Sequence, residues 1–275
     1  MKSKLSHKFL HAYGILFLVY LILPLLVMGG AAFNSSKFPS PLPWTGFTWR
    51  WFQELVADGN IWCFSFTDMK CGTSNTVWVA LTVVALSVPI GTGAAILLNN
   101  LKGRFRMVLY AVMIAPVLTP GVVIGVSTLV FWFKFGVPAG LHLSILGQAS
   151  FISAYVMLMV LARLQSFDSG LEEAALDLGA SHWQSLRRIL LPHLYPALAT
   201  SAVLAFFQSV ENYNTTQFTR GQQMTLTVYY GSRGRSGVLP TINALAVILI
   251  AVTVVATIGF EIWRRRSEAQ KRLAA

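Results

Sequence analysis

Long runs without Asp, Glu, Lys or Arg alternate with short polar connections along this 275-residue chain. Six of these runs, at 9–34, 71–101, 107–133, 135–162, 189–210 and 236–260, approach or exceed the roughly 20 apolar residues that a helix needs to cross a bilayer core of about 30 Å. The pattern predicts helices near 10–32, 76–98, 108–132, 142–162, 196–213 and 242–263. It implies an all-α, polytopic membrane protein with six transmembrane helices. The expected organisation is one transmembrane domain over 1–275, with its core at about 72–263, an extracytoplasmic loop at 34–75 and a cytoplasmic loop at 163–195.

Composition agrees, since 55% hydrophobic residues, 11% charged residues and a mean hydropathy of +0.61 leave too little polar surface to cover a soluble globule. Basic residues set the orientation, because Lys and Arg accumulate in cytoplasmic connections. Of the 21 Lys and Arg residues, fourteen fall on the side that holds both termini and seven on the other. Both termini are therefore expected in the cytoplasm. The net charge of +11 is read as topology and contact with anionic lipid rather than nucleic-acid binding. The basic start, the apolar run and the small residues Gly29-Gly30-Ala31-Ala32 also suit a secretory signal. The length of the run from Ala12 to Met28 favours a retained first helix.

Within the 34–75 loop, Pro39, Pro41 and Pro43 interrupt any helix. From Thr48 onward Trp51, Phe52, Leu55 and Val56 recur at helical spacing. A short interfacial helix is expected on the outer membrane surface, with its aromatics as anchors or as a stack for a cationic solute. The two cysteines, Cys63 and Cys71, both lie here, either as a disulfide or as two thiols. In the third run, Pro116, Pro120 and Gly121 predict a bent or locally unwound helix, a candidate lining for a translocation path. Gly91, Gly93, Ala94 and Ala95 should let the second helix approach a neighbour closely.

The connection from Leu164 to Leu186 contains no Lys or Arg but holds Asp168, Glu172, Glu173 and Asp177. An element meant to lie on an anionic inner leaflet would carry basic residues, so the acidic decoration points to a protein partner. Leu171, Ala174, Ala175 and Leu178 form one apolar stripe at i, i+3, i+4 and i+7. The helix that carries it is expected to start near Asp168 or Ser169 and end at a left-handed Gly179. Ser181-His182-Trp183-Gln184 has the form of a capping box. Pro192 and Pro196 are expected to mark re-entry into the fifth membrane segment.

This loop also carries Glu173-Ala174-Ala175, three residues, Gly179, nine residues, then Ile189-x-Leu191-Pro192. The spaced pattern resembles the signature of type I permeases of ABC importers, the MetI-like fold. Phe33-Asn34-Ser35-Ser36, Trp44-Thr45-Gly46-Phe47-Thr48 before Trp51, Leu164-Gln165-Ser166-Phe167-Asp168 and Asn243-Ala244-Leu245-Ala246 are similar to permeases of spermidine/putrescine uptake systems. They are shared to varying degrees with permeases for other small solutes, such as phosphonates.

The resemblance implies that Glu173, Ala174, Ala175, Asp177, Gly179, Ala180, Ile189 and Pro192 couple the membrane helices to a cytoplasmic ABC ATPase dimer. It also implies a second permease subunit and a periplasmic solute-binding protein. The chain has no Gly-x-x-x-x-Gly-Lys-Ser/Thr loop. It is therefore expected to be no enzyme and to bind no cofactor itself, with ATP and Mg used by the partner.

The region after the fifth segment reads Glu211-Asn212-Tyr213-Asn214, where similar polyamine permeases often carry adjacent aspartates. These four residues are candidates for the substrate pathway, receiving an ammonium group through charge, hydrogen bonds and cation–π contact. Alternatively, Glu211 pairs with Arg220 or is solvated. A polyamine is the expected solute, and a phosphonate or an amino acid is the alternative. An ion-coupled secondary transporter would need ionisable residues at a membrane midplane, and the sequence places none there. His11, His142, His182 and His193 fall in separate segments and are read as packing or interface residues, with no metal cluster among them.

Overall fold

The computed structural model describes residues 2–38, 40–59, 71–236 and 240–273. Helices dominate: α1 (Lys2–Phe33), α2 (Arg50–Ala57), α3 (Gly72–Asn100), α4 (Gly103–Leu118), α5 (Gly121–Phe133), α6 (Leu141–Leu164), α7 (Gly170–Asp177), α8 (His182–Ser185), α9 (Leu191–Val210), α10 (Asn214–Thr219), α11 (Leu226–Ser236) and α12 (Pro240–Leu273). A π-turn at Leu186–Leu190 joins α8 to α9. Among the described residues, four helices are long and apolar enough to cross a membrane, or five if the bent pair α4 and α5 forms one span. The sixth predicted segment lies on α12, whose apolar part among the described residues is Pro240–Ala251.

The chain divides into two compact units, Met1–Gly59 with Ser232–Ala275, and Asn60–Gly231. In the first, α1 and α2 both pack on α12. Most of α1 exposes large apolar side chains, including Leu16 at 68% and Tyr20 at 73%, as expected of a helix whose solvent is lipid. Its end is organised by Asn34, which is fully buried. The Asn34 amide nitrogen donates to the carbonyls of Ser40 and Pro43 at 2.9 and 3.0 Å. Its oxygen accepts from the Thr45 backbone N–H and hydroxyl at 3.0 and 2.9 Å. Paired backbone bonds, Ser35 N–H to Gly46 and Thr48 N–H to Phe33, both 2.9 Å, zip the two strands of this turn together.

The predicted apolar face of α2 splits in two. Trp51 and Leu55 are buried, with the Trp51 indole donating to the Asn34 carbonyl at 2.7 Å. Phe52 instead joins Phe33, Phe47 and Trp49 in a ring cluster with centroids 5.1 to 5.6 Å apart. Cys71 is disulfide-bonded and buried, while Cys63 lies outside the described residues.

In the second unit, α3, α6 and α9 pack around Val79, Val83, Leu98, Ile152, Val156, Met157, Val160 and Leu194. Between membrane helices the driving force is close contact more than water exclusion, and Gly91 supplies it. A Cβ there would sit 2.5 Å from the Ser153 carbonyl oxygen and 2.7 Å from Val156 Cβ. Ala95 is fully buried, whereas Gly93 faces open space. The predicted small-residue contact thus runs through Gly91 and Ala95.

The third predicted span is broken, as its prolines foretold. α4 and α5 meet at 106° across Thr119-Pro120. Proline gives no N–H to the helix ladder and disfavours helix at the residue before it. The fifth predicted span begins earlier than expected, since helical backbone runs from His182 to Val210. Pro192 falls in the first turn of α9 and Pro196 further inside it.

Candidate functional site

The 163–195 loop contains two short helices held by their own caps. α7 ends in a pair of nested backbone bonds, Gly179 N–H to Leu176 carbonyl at 2.9 Å and Ala180 N–H to Ala175 carbonyl at 3.0 Å. This closure needs a left-handed residue between them, and Gly179 has φ of +86°. Two residues later Ser181 Oγ accepts from Gln184 N–H at 3.3 Å while Gln184 Oε1 accepts from Ser181 N–H at 2.8 Å. The predicted capping box is present. Gly179 and Ser181 therefore turn the chain between α7 and α8 with nearly every backbone group paired locally.

Having satisfied itself, the loop leaves its apolar side open. No residue of α7 is buried; Leu171 is 54% exposed, Leu178 90% and Trp183 66%. Ala174 is exposed and Ala175 half-buried, while Glu173 and Asp177 are exposed beside them. α7 packs on α8 and the π-turn, and a cavity of about 310 Å³ lined by Asn99, Phe167, Glu172, His182 and Leu190 lies behind it. The π-turn has a clear cause. Pro192 cannot donate to the Arg188 carbonyl, so the backbone before it widens and Leu191 N–H reaches Leu186 instead. Ile189 lies in this turn, half-buried, beside buried Leu190.

At the opposite end of α9, Glu211 is its exposed C-cap. Its carboxylate forms no ion pair among the described residues. The expected alternative partner, Arg220, turns away and donates to the Gln223 carbonyl at 2.8 Å. Burial lowers the Arg220 pKa from its ordinary value, against a smaller raising effect of Tyr213. Asn212 is taken up by the backbone, its Oδ1 accepting from the Thr215 and Thr216 N–H groups at 3.1 and 3.4 Å at the start of α10. The Tyr213 ring lies over Gly231, where a Cβ would not fit, and Asn214 borders Gly121 at the start of α5. The four consecutive residues thus point to different tasks, with Glu211 and Asn214 exposed.

Sequence reasoning missed the polar seam that holds this end together. Gln148, 1% exposed, donates to Thr216 Oγ1 at 2.8 Å and accepts from the Ser209 hydroxyl. Ser144 and Thr219 hydroxyls meet at 2.8 Å, and Gly140 N–H donates to the Thr219 carbonyl at 2.8 Å. Thr215 sits against Gly121, Gly125 and Gly147, none of which could carry a Cβ without crowding it or its neighbour Asn214. The partners lie 61 to 75 positions apart in the chain, and a few Ser, Thr and Gln residues within apolar runs do not reveal which helix they face. At the same end, Asn75, Trp78, Leu141, His142, Ile145 and Gln223 line a cavity of about 560 Å³.

Comparison with known proteins places this arrangement. Residues 87–272 match the family described as binding-protein-dependent transport system inner membrane component. The putrescine transport system permease protein PotI of Escherichia coli K12 is 32% identical over 262 residues, 92% of this chain and 89% of the relative. The spermidine/putrescine transport system permease protein PotC of Haemophilus influenzae is 28% identical over 251 residues, 90% of this chain and 93% of the relative. Among solved structures, a chain of a bacterial ABC transporter that imports the acidic polysaccharide alginate has a TM-score of 0.66 at 17% identity, covering 95% of this chain and 98% of that one. A chain of the MetNI methionine ABC transporter has a TM-score of 0.57 at 20% identity, covering 69% and 92%. With the family matched over most of its length and the multi-pass helical fold in agreement, the chain belongs to the inner-membrane components of binding-protein-dependent transport systems, and is a permease subunit of an ABC importer.

Proposed function

We propose that this subunit forms half of an alternating-access pathway for a polyamine, and that α7 docks in a cleft of a cytoplasmic ATPase dimer. The observation that carries the docking is the exposed stripe of Leu171, Ala174 and Leu178 on a helix without a single basic residue. An unburied apolar stripe flanked by Glu173 and Asp177 suits a protein groove better than an anionic lipid surface. Ala174 and Ala175 keep the inserted face narrow. Gly179 and Ala180 close α7, Ile189 lies in the π-turn that joins α8 to α9, and Pro192 opens α9. ATP and Mg would be used by that partner, and this chain would bind neither. A second permease subunit completes the pathway, and both termini lie on the ATPase side. In this reading the two units act as one permease domain, with the core at 72–263.

An external binding protein delivers the solute; one structural relative is described with an alginate pentasaccharide-bound periplasmic protein. Polyamine as solute is supported by the names of the relatives at 28–32% identity and by the Glu211 carboxylate, exposed and without an ion pair among the described residues, with Tyr213 and Asn214 beside it in the chain. Asn212 would act indirectly, by shaping the start of α10. Another small solute, such as an amino acid, is the alternative, since structural relatives are described with alginate and methionine.

Co-purification tests the docking. Replacing Gly179 by Val should abolish both solute uptake and recovery of the ATPase with the membrane complex, while membrane insertion stays normal. Full uptake by that variant would remove the docking role.

A further inference from the structure

The two ends of the 163–195 loop are fastened to each other by residues given no role so far. Arg163, in the last turn of α6, donates from Nε to the His193 carbonyl at 3.2 Å. In return His193 Nε2 lies 3.4 Å from the Arg163 carbonyl, a bond it donates as the Nε2–H tautomer. Phe167 sets its ring edge-on to the imidazole at 5.2 Å. Leu164, Leu190 and Leu194 are buried in the adjoining core. Arg163 makes no ion pair among the described residues, so its guanidinium is directed by this carbonyl contact.

The position of the clasp gives it a mechanical consequence. Between α8 and α9 the backbone passes through a π-turn, and Pro192 and Pro196 each withhold an N–H from the ladder that follows. A stretch with such gaps bends easily. A displacement of α7 travelling along the chain would be absorbed there before it reached the outer half of α9. His193 lies between the two prolines. Arg163 sits on a helix that runs continuously from Leu141 to Leu164, and its rigid planar fork holds direction better than a flexible ammonium.

We propose that Arg163 and His193 are positioning residues for transport, which splice the foot of α9 to the foot of α6 so that a push on α7 moves both helices as one body. This rests on the docking reading above, and the test separates the two. The complete transporter with its partner subunits is placed in nanodiscs, and amide hydrogen exchange is compared without nucleotide and with ATP plus vanadate. Wild type should show a nucleotide-dependent change both in 170–185 and in 201–210.

In Arg163→Met and His193→Ala, each of which removes one of the two bonds, the change should persist in 170–185 but shrink at least threefold in 201–210, and the double variant should be at least as impaired there as either single one. His193→Gln, whose amide nitrogen can reach the place of Nε2, should restore the response. An undiminished response in 201–210 in both single variants overturns the clasp, as does a His193→Gln complex that assembles and stays unresponsive. Failure of both single variants to assemble would make the clasp a folding device and also end the proposal. Absence of any response at 170–185 in wild type would instead defeat the docking reading, and the clasp with it.

Discussion

At Gly179 the backbone adopts φ of +86° with nothing within 4 Å of the place where a Cβ would stand. Space is therefore available for a side chain, and only the conformation resists one. A non-glycine residue in the left-handed region costs about 1–2 kcal/mol, least for Asn and most for β-branched residues. Gly179→Asn should accordingly keep most ATPase recovery, while Gly179→Val should lose it. Equal loss in both would point to steric exclusion by the partner rather than to helix closure. Glu211 poses the complementary case of an exposed carboxylate with no ion-pair partner among the described residues. Glu211→Gln keeps the shape and removes the charge. Putrescine uptake should fall several-fold, with the apparent affinity weakened, while uptake of a neutral solute by a relative carrying the same change serves as control. An unchanged uptake curve would return Glu211 to the role of a solvated helix end.

Among the elements, α3 and α6 show how a single small residue sets an interhelical distance. Their contact at Gly91 leaves no volume for a methyl group, with the Ser153 carbonyl at 2.5 Å from the ideal Cβ. Gly91→Ala should cost about 1–3 kcal/mol of overpacking, seen as a lower thermal midpoint of the detergent-solubilised subunit. Gly93→Ala, facing open space, should leave the midpoint where it is. These contrasting glycines sit two residues apart, and sequence pattern alone counts them as one small-residue patch. α2 teaches the same lesson. Trp51, Phe52, Leu55 and Val56 announce a helix, but only the packing against α12 sends Trp51 and Leu55 inward and leaves Val56 65% exposed.

For the molecule as a whole, the distribution of Lys and Arg gives the expected orientation. A periplasmic reporter enzyme fused after Gly59 should be active, and one fused after Phe167 should be silent. The reverse activities would invert the assignment of α7 to the ATPase side. Much of the architecture was legible beforehand because a bilayer imposes a length and a composition on every span. The break near Pro120 and the turn at Gly179 and Ser181 were legible because each depends on residues within about six positions of one another. Gln148 with Thr216 and Ser209, and Arg163 with His193, were not. Each belongs to a pair distant in the chain, and nothing in an isolated Gln, Arg or His reveals which carbonyl or hydroxyl will lie opposite.

By itself, the order of residues determined that this chain is a mostly helical, multi-pass membrane protein, where most of its spans lie, and that an acidic loop with a turn at Gly179 connects two of them. These are outcomes of local chemistry and of the solvent each segment requires. Tertiary structure decided that Gln148 meets Thr216 and Ser209, that Gly91 rather than Gly93 meets α6, and that Arg163 reaches His193. Hydrogen bonds act over about 3 Å, so their partners are chosen only once distant helices have been brought side by side.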